Sequence, residues 1–224
     1  MNSQVNVQWL NNMRLKKFLS VLLLSGCVSL LSAQTSNKDA LVLYRNGLYR
    51  ESIQVCEEEL KGNPNRIESY VVMCWSLVEN KQYVEAEQRA TEGLRISPYE
   101  LRLIEILGEA EYYQGKNNAA LEQFEKYVAN ATESAGRFGK AYYFMGEIYI
   151  RLGRFQHADI ALSTAVKAEP LLDNWWVRLG YAREMAKNWM AAMSAYDEAL
   201  RLNSSSVDAT QGRSRVSSQL QKFN

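Results

Sequence analysis

Histidine, proline and cysteine are scarce in this chain: 224 residues hold one histidine, three prolines and three cysteines. Three cysteines are too few for a disulfide scaffold or for repeated zinc sites. Three prolines and 12 glycines leave little room for a loop-rich or all-β architecture, so long helices are the expectation. An excess of either charge is missing too. The 26 basic and 25 acidic residues are interspersed, without the basic face or stripe that nucleic acid requires. What is present is ordinary for a folded protein, with 47% hydrophobic and 23% charged residues, so disorder is not expected. The length fits one domain or a short array of small units.

Residues 1–33 read as an export signal. Met13-Arg14-Leu15-Lys16-Lys17 supplies a positive start, Phe18 to Leu31 an apolar run, and Ser32-Ala33-Gln34 a small-residue exit. The run of 14 residues is shorter than the about 20 that a membrane-spanning helix needs. Residues 1–12 carry no charge and include Trp9 and Leu10, which suits an n-region poorly, so Met13 is the expected start and 1–12 a non-native extension. Removal of residues 1–33 leaves 23 basic residues against 25 acidic ones, a mildly acidic mature protein. Leu24-Ser25-Gly26-Cys27 resembles the lipobox of bacterial lipoproteins, which implies a lipid anchor on Cys27. Val28 to Leu31 continue the apolar run past that cysteine and speak against it. Cleavage after Ala33 and a periplasmic protein are the expectation; lipidation of Cys27 and membrane attachment are the alternative.

The rest of the chain repeats itself. Pro64 and Pro98, Ala86 and Ala120, Gly146 and Gly180, and Ala158 and Ala192 are each 34 residues apart. Across the middle, Gly108 to Gly146 and Ala120 to Ala158 are both 38, which one four-residue insertion explains. Trp176, Leu179 and Gly180 form W-x2-L-G, Tyr142, Met145, Gly146 and Tyr149 a close variant, and Leu107-Gly108 a third copy. The second half of each unit carries Ala120 with Phe124, Ala158 with Leu162, or Ala192 with Tyr196. This sequence resembles the tetratricopeptide repeat family. The resemblance covers nearly all of the mature chain and implies an all-α fold, a right-handed α-solenoid of about five helix pairs plus a C-terminal capping helix. The repeats fall at about 33–66, 67–100, 101–134, 139–172 and 173–206, with the cap and tail in 207–224. Repeat two departs from the pattern with Cys74 for the glycine and Ala90 for the aromatic, and repeat one with Ser36 for the tryptophan and Ser52 for the alanine.

Physics accounts for these residue types. Turns are expected near Lys81, Gly115, Gly153 and Lys187, and glycine suits a chain leaving a helix in a left-handed conformation, where lysine is less comfortable. Glycine or alanine at the helix contacts lets two backbones approach, and a large side chain there would overpack the site. Pro64, Pro98 and Pro170 end second helices; repeat three has Thr132 instead, followed by the extra residues around Glu133 to Phe138, a junction that either lengthens a helix or loosens the stack. In the tail, Val207, Val216 and Leu220 are expected to face the last repeat, and Gln211, Arg213, Arg215, Ser217 and Gln219 to meet water, as an array terminus requires.

No catalytic constellation is found. The sequence has no Walker-type loop, C-x-x-C, H-E-x-x-H or G-x-S-x-G, and His157 falls where the periodicity predicts exposure. Glu57, Glu58 and Glu59 diverge around a helix axis and form no carboxylate site. No metal, cofactor or nucleic acid is expected. Asn130-Ala131-Thr132 matches a glycosylation sequon, which has a role only in a eukaryotic secretory route. Cys56 and Cys74 fall on packed elements of the register; two separately buried thiols are the expectation and a disulfide the alternative.

The function expected is a non-catalytic scaffold or adaptor in the bacterial cell envelope, binding a partner protein or peptide. Two alternatives are a periplasmic binder of a small apolar ligand or lipid, and an enzyme subunit that positions substrate for a catalytic partner. The resemblance implies that first helices line a concave face. Its groove positions carry over to Leu41, Tyr44 and Arg45; Val71, Trp75, Val78 and Glu79; Arg102, Glu105, Glu109, Tyr112 and Tyr113; Lys140, Tyr143, Glu147, Ile150 and Arg151; and Val177, Tyr181, Glu184 and Met185. Aromatics recur along this set, and Trp and Tyr make good binding anchors. The Lys and Asn cluster of repeats that clamp a peptide's C-terminal carboxylate is missing, so docking of an extended or helical apolar segment is expected. Coverage of these aromatics by the core, by the N-terminal segment or by a second copy of the chain is the competing arrangement.

Overall fold

The structure, a computed structural model, describes residues 39–222. They form eleven helices: α1 (Ala40–Arg45), α2 (Tyr49–Gly62), α3 (Ile67–Glu79), α4 (Tyr83–Ile96), α5 (Leu101–Tyr113), α6 (Asn117–Asn130), α7 (Phe138–Arg151), α8 (Phe155–Ala168), α9 (Asp173–Met185), α10 (Trp189–Leu202) and α11 (Val207–Leu220). They pair in order, α1 with α2 through α9 with α10, and α11 closes the array. The second helices begin 34, 34, 38 and 34 residues apart. The periodicity of the sequence is the periodicity of the fold. The export signal and Cys27 lie outside the described residues.

Each pair turns through the same device. Gly47, Lys81, Gly115, Gly153 and Lys187 have φ of 74°, 61°, 77°, 70° and 62°. The residue after each donates its amide five residues back, as in Gln82 to Leu77 O at 2.8 Å and Arg154 to Tyr149 O at 2.8 Å. This left-handed closure satisfies carbonyls that the ended helix leaves free. Two of the five positions are lysines, where a side chain costs roughly 1 kcal/mol that glycine would not. Second helices end differently: Asn63, Ser97, Ala131, Glu169 and Asn203 each donate an amide four residues back. Pro64, Pro98 and Pro170 follow three of these caps, where no helical amide is needed.

Within a pair, the close contact joins residues sixteen apart. A Cβ on Gly108 would lie 3.1 Å from the Phe124 ring, one on Gly146 2.4 Å from Leu162 Cγ, and one on Gly180 2.8 Å from the Tyr196 ring. The two aberrant repeats place Ala40 with Cys56 and Cys74 with Ala90 at the same spacing, and all four are buried in one core cluster. Cys56 and Cys74 are free thiols, so the disulfide alternative is not realised. Burial pushes the Cys56 thiol up to about 12 and raises Cys74 further, so both act as small apolar side chains. Ala86, Ala120, Ala158 and Ala192 are fully buried. Ser52 replaces that alanine in repeat one, and its buried hydroxyl donates to Ala40 O at 2.8 Å, with Ser76 Oγ 2.9 Å away.

The insertion forms a turn, with Ala135 bonded to Thr132 O and Phe138 to Ala135 O, both at 2.9 Å. Helix α6 keeps the 14 residues of the other second helices. The cap corrects part of the sequence reading. Val216 is fully buried and Leu220 packs on the last core cluster, but Val207 is 64% exposed. Ala209 and Gly212 take its place, Gly212 because a Cβ there would lie 2.2 Å from Tyr196 Cζ. The Tyr196 ring is therefore held between two helical glycines, Gly180 and Gly212.

Candidate partner-binding groove

First helices of successive repeats touch one another, while second helices of successive repeats do not. The array of residues 40–222 therefore curves with α1, α3, α5, α7 and α9 on its inner side. This is the face where the sequence places its binding residues, and the structure divides that set. Val71 is fully buried, Val78 is 7% exposed and Tyr112 is 8% exposed, so these three belong to the core rather than to an accessible groove. Tyr112 is covered by Phe144, with centroids 4.7 Å apart, and by the Arg151 guanidinium 3.7 Å from its ring centroid.

Of the rest, Glu105, Glu109 and Glu147 are buried, and the aromatic and apolar residues line the inner face. Tyr113 is 45% and Met185 43% exposed, while Leu41, Tyr44, Trp75, Tyr143, Ile150, Val177 and Tyr181 are half-buried. Their rings are braced rather than free. Tyr44 stacks on Trp75 at 5.6 Å, Tyr113 on Tyr83 at 4.6 Å and Tyr143 on the buried Trp175 at 4.8 Å. Bracing lowers the rotamer entropy that a partner must overcome on binding such rings. The Trp75 indole N–H is shielded and has no acceptor.

Charges on this face neutralise one another between repeats. Arg137, from the inserted turn, places Nε 2.6 Å from Glu105 Oε2 and Nη2 2.6 Å from Glu109 Oε2. Lys140 Nζ meets the other Glu109 oxygen at 2.8 Å. Further along, Arg178 pairs with Glu147 at 2.6 Å and Arg215 of the cap with Glu184 at 2.7 Å. Glu105 is fully buried, and the approach of Arg137 is too poorly aligned to give either of its oxygens a hydrogen bond. Burial pushes its carboxyl up to about 7, against the opposing pull of Arg137. Burial likewise opposes the charge on Arg137, but Glu105 and Glu109 outweigh it and hold the guanidinium protonated. Arg137 and Arg178 were not among the residues carried over by position. Arg137 lies inside the insertion, where the repeat register is interrupted; the insertion itself was the only signal.

Among the described residues, no group of three His, Cys, Asp or Glu side chains is disposed to hold a metal, and no helix is long and apolar enough to cross a membrane. His157 is exposed beside Tyr149, with ring centroids 5.3 Å apart. Three depressions of about 390, 330 and 350 Å³ lie away from the groove residues. The first two are lined by charged side chains, including Glu57, Lys61 and Arg89 in one and Glu87, Arg95 and Lys116 in the other.

The family model for the tetratricopeptide repeat matches residues 107–159 and 145–207. Residues 107–207 are tetratricopeptide repeats. The fold of the chain is shared with MamA from Desulfovibrio magneticus RS-1, with TM-score 0.65 and 20% identity over 75% of this chain and 93% of that one. It is shared also with PilW, described as a widely conserved type IV pilus biogenesis factor, with TM-score 0.64 and 17% identity over 82% and 89%. YrrB, described as a tetratricopeptide-repeat protein with an unusual peptide-binding site, gives TM-score 0.64 and 15% identity over 78% and 88%. Identities this low establish the fold alone. Among curated proteins, anaphase-promoting complex subunit 3 of Schizosaccharomyces pombe is 24% identical over 167 residues, 72% of this chain. The chain spans about a quarter of the length of that relative.

Proposed function

We propose that the scaffold binds an extended or helical apolar segment of a partner protein along its inner face, and that it does so in the bacterial cell envelope. The observation that carries the groove is an accessible row of Trp75, Tyr113, Tyr143 and Tyr181, the first three braced by neighbouring rings, on a face whose charged neighbours largely pair with one another. Such a surface offers a partner apolar area without requiring it to neutralise buried charge. The peptide-binding description of YrrB and the pilus-biogenesis description of PilW support the reading for proteins of this fold. The envelope location rests on the signal-like residues 13–33.

Replacing Trp75, Tyr113 and Tyr143 by alanine together tests the groove. Helical content measured by far-UV circular dichroism is expected to be kept, and affinity for a partner identified from an envelope fraction to fall by at least about 2 kcal/mol. Undiminished affinity would move the site off this face, and collapse of the helical signal would assign the rings to the core. Sequencing the N-terminus of the protein recovered from fractionated cells tests the location. A start at Gln34 is expected; a blocked, acylated Cys27 would make it lipid-anchored, and an intact Met1 or Met13 in the cytoplasm would refute export.

A further inference from the structure

Four acidic side chains of the inner face, Glu105, Glu109, Glu147 and Glu184, each lie within ion-pair distance of an arginine. Glu79 does not. It is the last residue of α3, it is exposed, and its carboxylate has no ion-pair or hydrogen-bond partner among the described residues. Arg45, at the equivalent position of α1, is exposed and does not pair with it.

The surroundings of Glu79 are aromatic. Trp75 lies one turn earlier on the same face of α3, and Tyr44 of α1 stacks on it with an interplanar angle of 30°. Tyr44, Glu79 and Tyr113 occupy the last turns of α1, α3 and α5, first helices that pack side by side, so Glu79 stands in the row between tyrosines of the preceding and following repeats. Its charge reaches both phenols: burial is the main cause of their raised pKa values and Glu79 adds to each, with Glu109 acting in the same direction, while Arg137 opposes them at Tyr44. Aromatic faces carry negative potential, and a carboxylate adds to it. Three rings around an unpaired acid therefore favour an incoming positive charge and disfavour a negative one.

We propose that Tyr44, Trp75, Glu79 and Tyr113 form a binding site for a basic side chain, a lysine or arginine carried by the partner segment that docks on the inner face. The inference rests on that face being the partner surface. It adds a polarity to it, since the apolar stretch of the partner then lies along α5 to α9 and its basic residue at the α1–α3 end.

Three peptides carrying fluorescein on the N-terminal amine test the site by anisotropy: Leu-Ala-Lys-Ala-Leu-amide, its lysine left free, and the same sequence with norleucine or glutamate at its centre. The lysine peptide is expected to bind about fivefold tighter than the norleucine peptide, and the glutamate peptide most weakly. Glu79→Gln, at an exposed residue without partners, is expected to keep the fold and erase most of this preference. Tyr113→Leu, which keeps apolar bulk and loses the ring, is expected to reduce it. Equal binding of the lysine and norleucine peptides, or a preference unchanged in Glu79→Gln, would overturn the site. So would failure of the lysine peptide to bind at millimolar concentration. Equal binding that the Trp75, Tyr113 and Tyr143 triple variant abolishes would leave the groove standing and remove only the basic-side-chain site; equal binding that the triple variant retains would remove both.

Discussion

The first two repeats and the last three build the same helix–helix contact with opposite allotments of size. In α5–α6, α7–α8 and α9–α10 a glycine on the first helix receives Phe124, Leu162 or Tyr196 from the second. In α1–α2 and α3–α4 the pairs are Ala40 with Cys56 and Cys74 with Ala90, all at most 5% exposed. A gain in volume on the first helix is matched by a loss on the second. The contact is thus governed by the combined size of two side chains, because a close-packed interior tolerates volume-conserving exchanges and little else. Departures from the family pattern at Cys74 and Ala90 compensate each other and are no sign of a degraded repeat.

Gly180→Leu should break the comparison most severely. Even a Cβ at this position meets the Tyr196 ring at 2.8 Å, and Tyr196 is hemmed on its other side by Gly212. A loss of about 3 kcal/mol is expected in urea unfolding. The control Gln156→Leu, at an exposed position of α8, should stay within about 0.5 kcal/mol of the parent. Equal midpoints for the two variants would mean that the assumed contact does not exist.

A double-mutant cycle sharpens the same point. Ala90→Phe alone should overpack the α3–α4 contact by about 2 kcal/mol, and Cys74→Gly alone should lose about 1 kcal/mol from lost burial and added backbone freedom. Combined, they recreate the pairing of repeat three, and a favourable coupling of about 1 kcal/mol or more is expected. Strict additivity would show that the two positions do not share one space.

A smaller effect separates the repeats by charge. Burial pushes the Glu105 carboxyl of α5 up to about 7, above the roughly 4.3 of a free glutamate. A carboxyl raised by folding holds its proton in the native state after the unfolded chain has lost it. The contribution is therefore most favourable below about pH 4, and it declines as pH rises toward 7. Glu105→Gln removes this titration, so relative to the parent the variant should gain about 2 kcal/mol between pH 5 and pH 8 in denaturant unfolding. Glu111, also raised to about 7 by burial, preserves part of the slope in both proteins. An identical pH dependence would show that Glu105 ionises normally.

The smallest effect concerns the turns. Lys81, at φ 61°, replaced by glycine should stabilise the α3–α4 pair by about 0.5 kcal/mol, whereas Gly115→Lys at φ 77° should lose a similar amount. Thermal unfolding of both variants checks this, and changes of the same sign would contradict the turn geometry.

The period of 34, its interruption by four residues, the helix pairs, the turns at Lys81, Gly115, Gly153 and Lys187, and the burial of Ala86, Ala120, Ala158 and Ala192 were legible in the sequence, or nearly so. Each is set by local backbone demands or by a spacing that recurs at every repeat. The site was legible only in part. Position by position, the register marks which residues start toward the inner side, and Trp75, Tyr113, Tyr143 and Tyr181 are found there. It does not say how far a neighbouring helix then covers them, which is why Val71, Val78 and Tyr112 fall in the core. In the cap, Ala209 and Gly212 displaced Val207 because the ring of Tyr196 left room for nothing larger than glycine.

By itself, then, the sequence determined what is periodic: element type, element length and the phase of the small residues, all of which follow from backbone geometry repeated every 34 residues. Only the tertiary structure decided what breaks the period. Arg137 left the register in the inserted turn and came to rest against Glu105 and Glu109, residues 32 and 28 positions earlier, and Glu79 was left without a cation between two tyrosines. Ion pairing depends on distances of a few ångströms between side chains from different repeats, and no spacing along a chain encodes whether a long, flexible side chain reaches its partner.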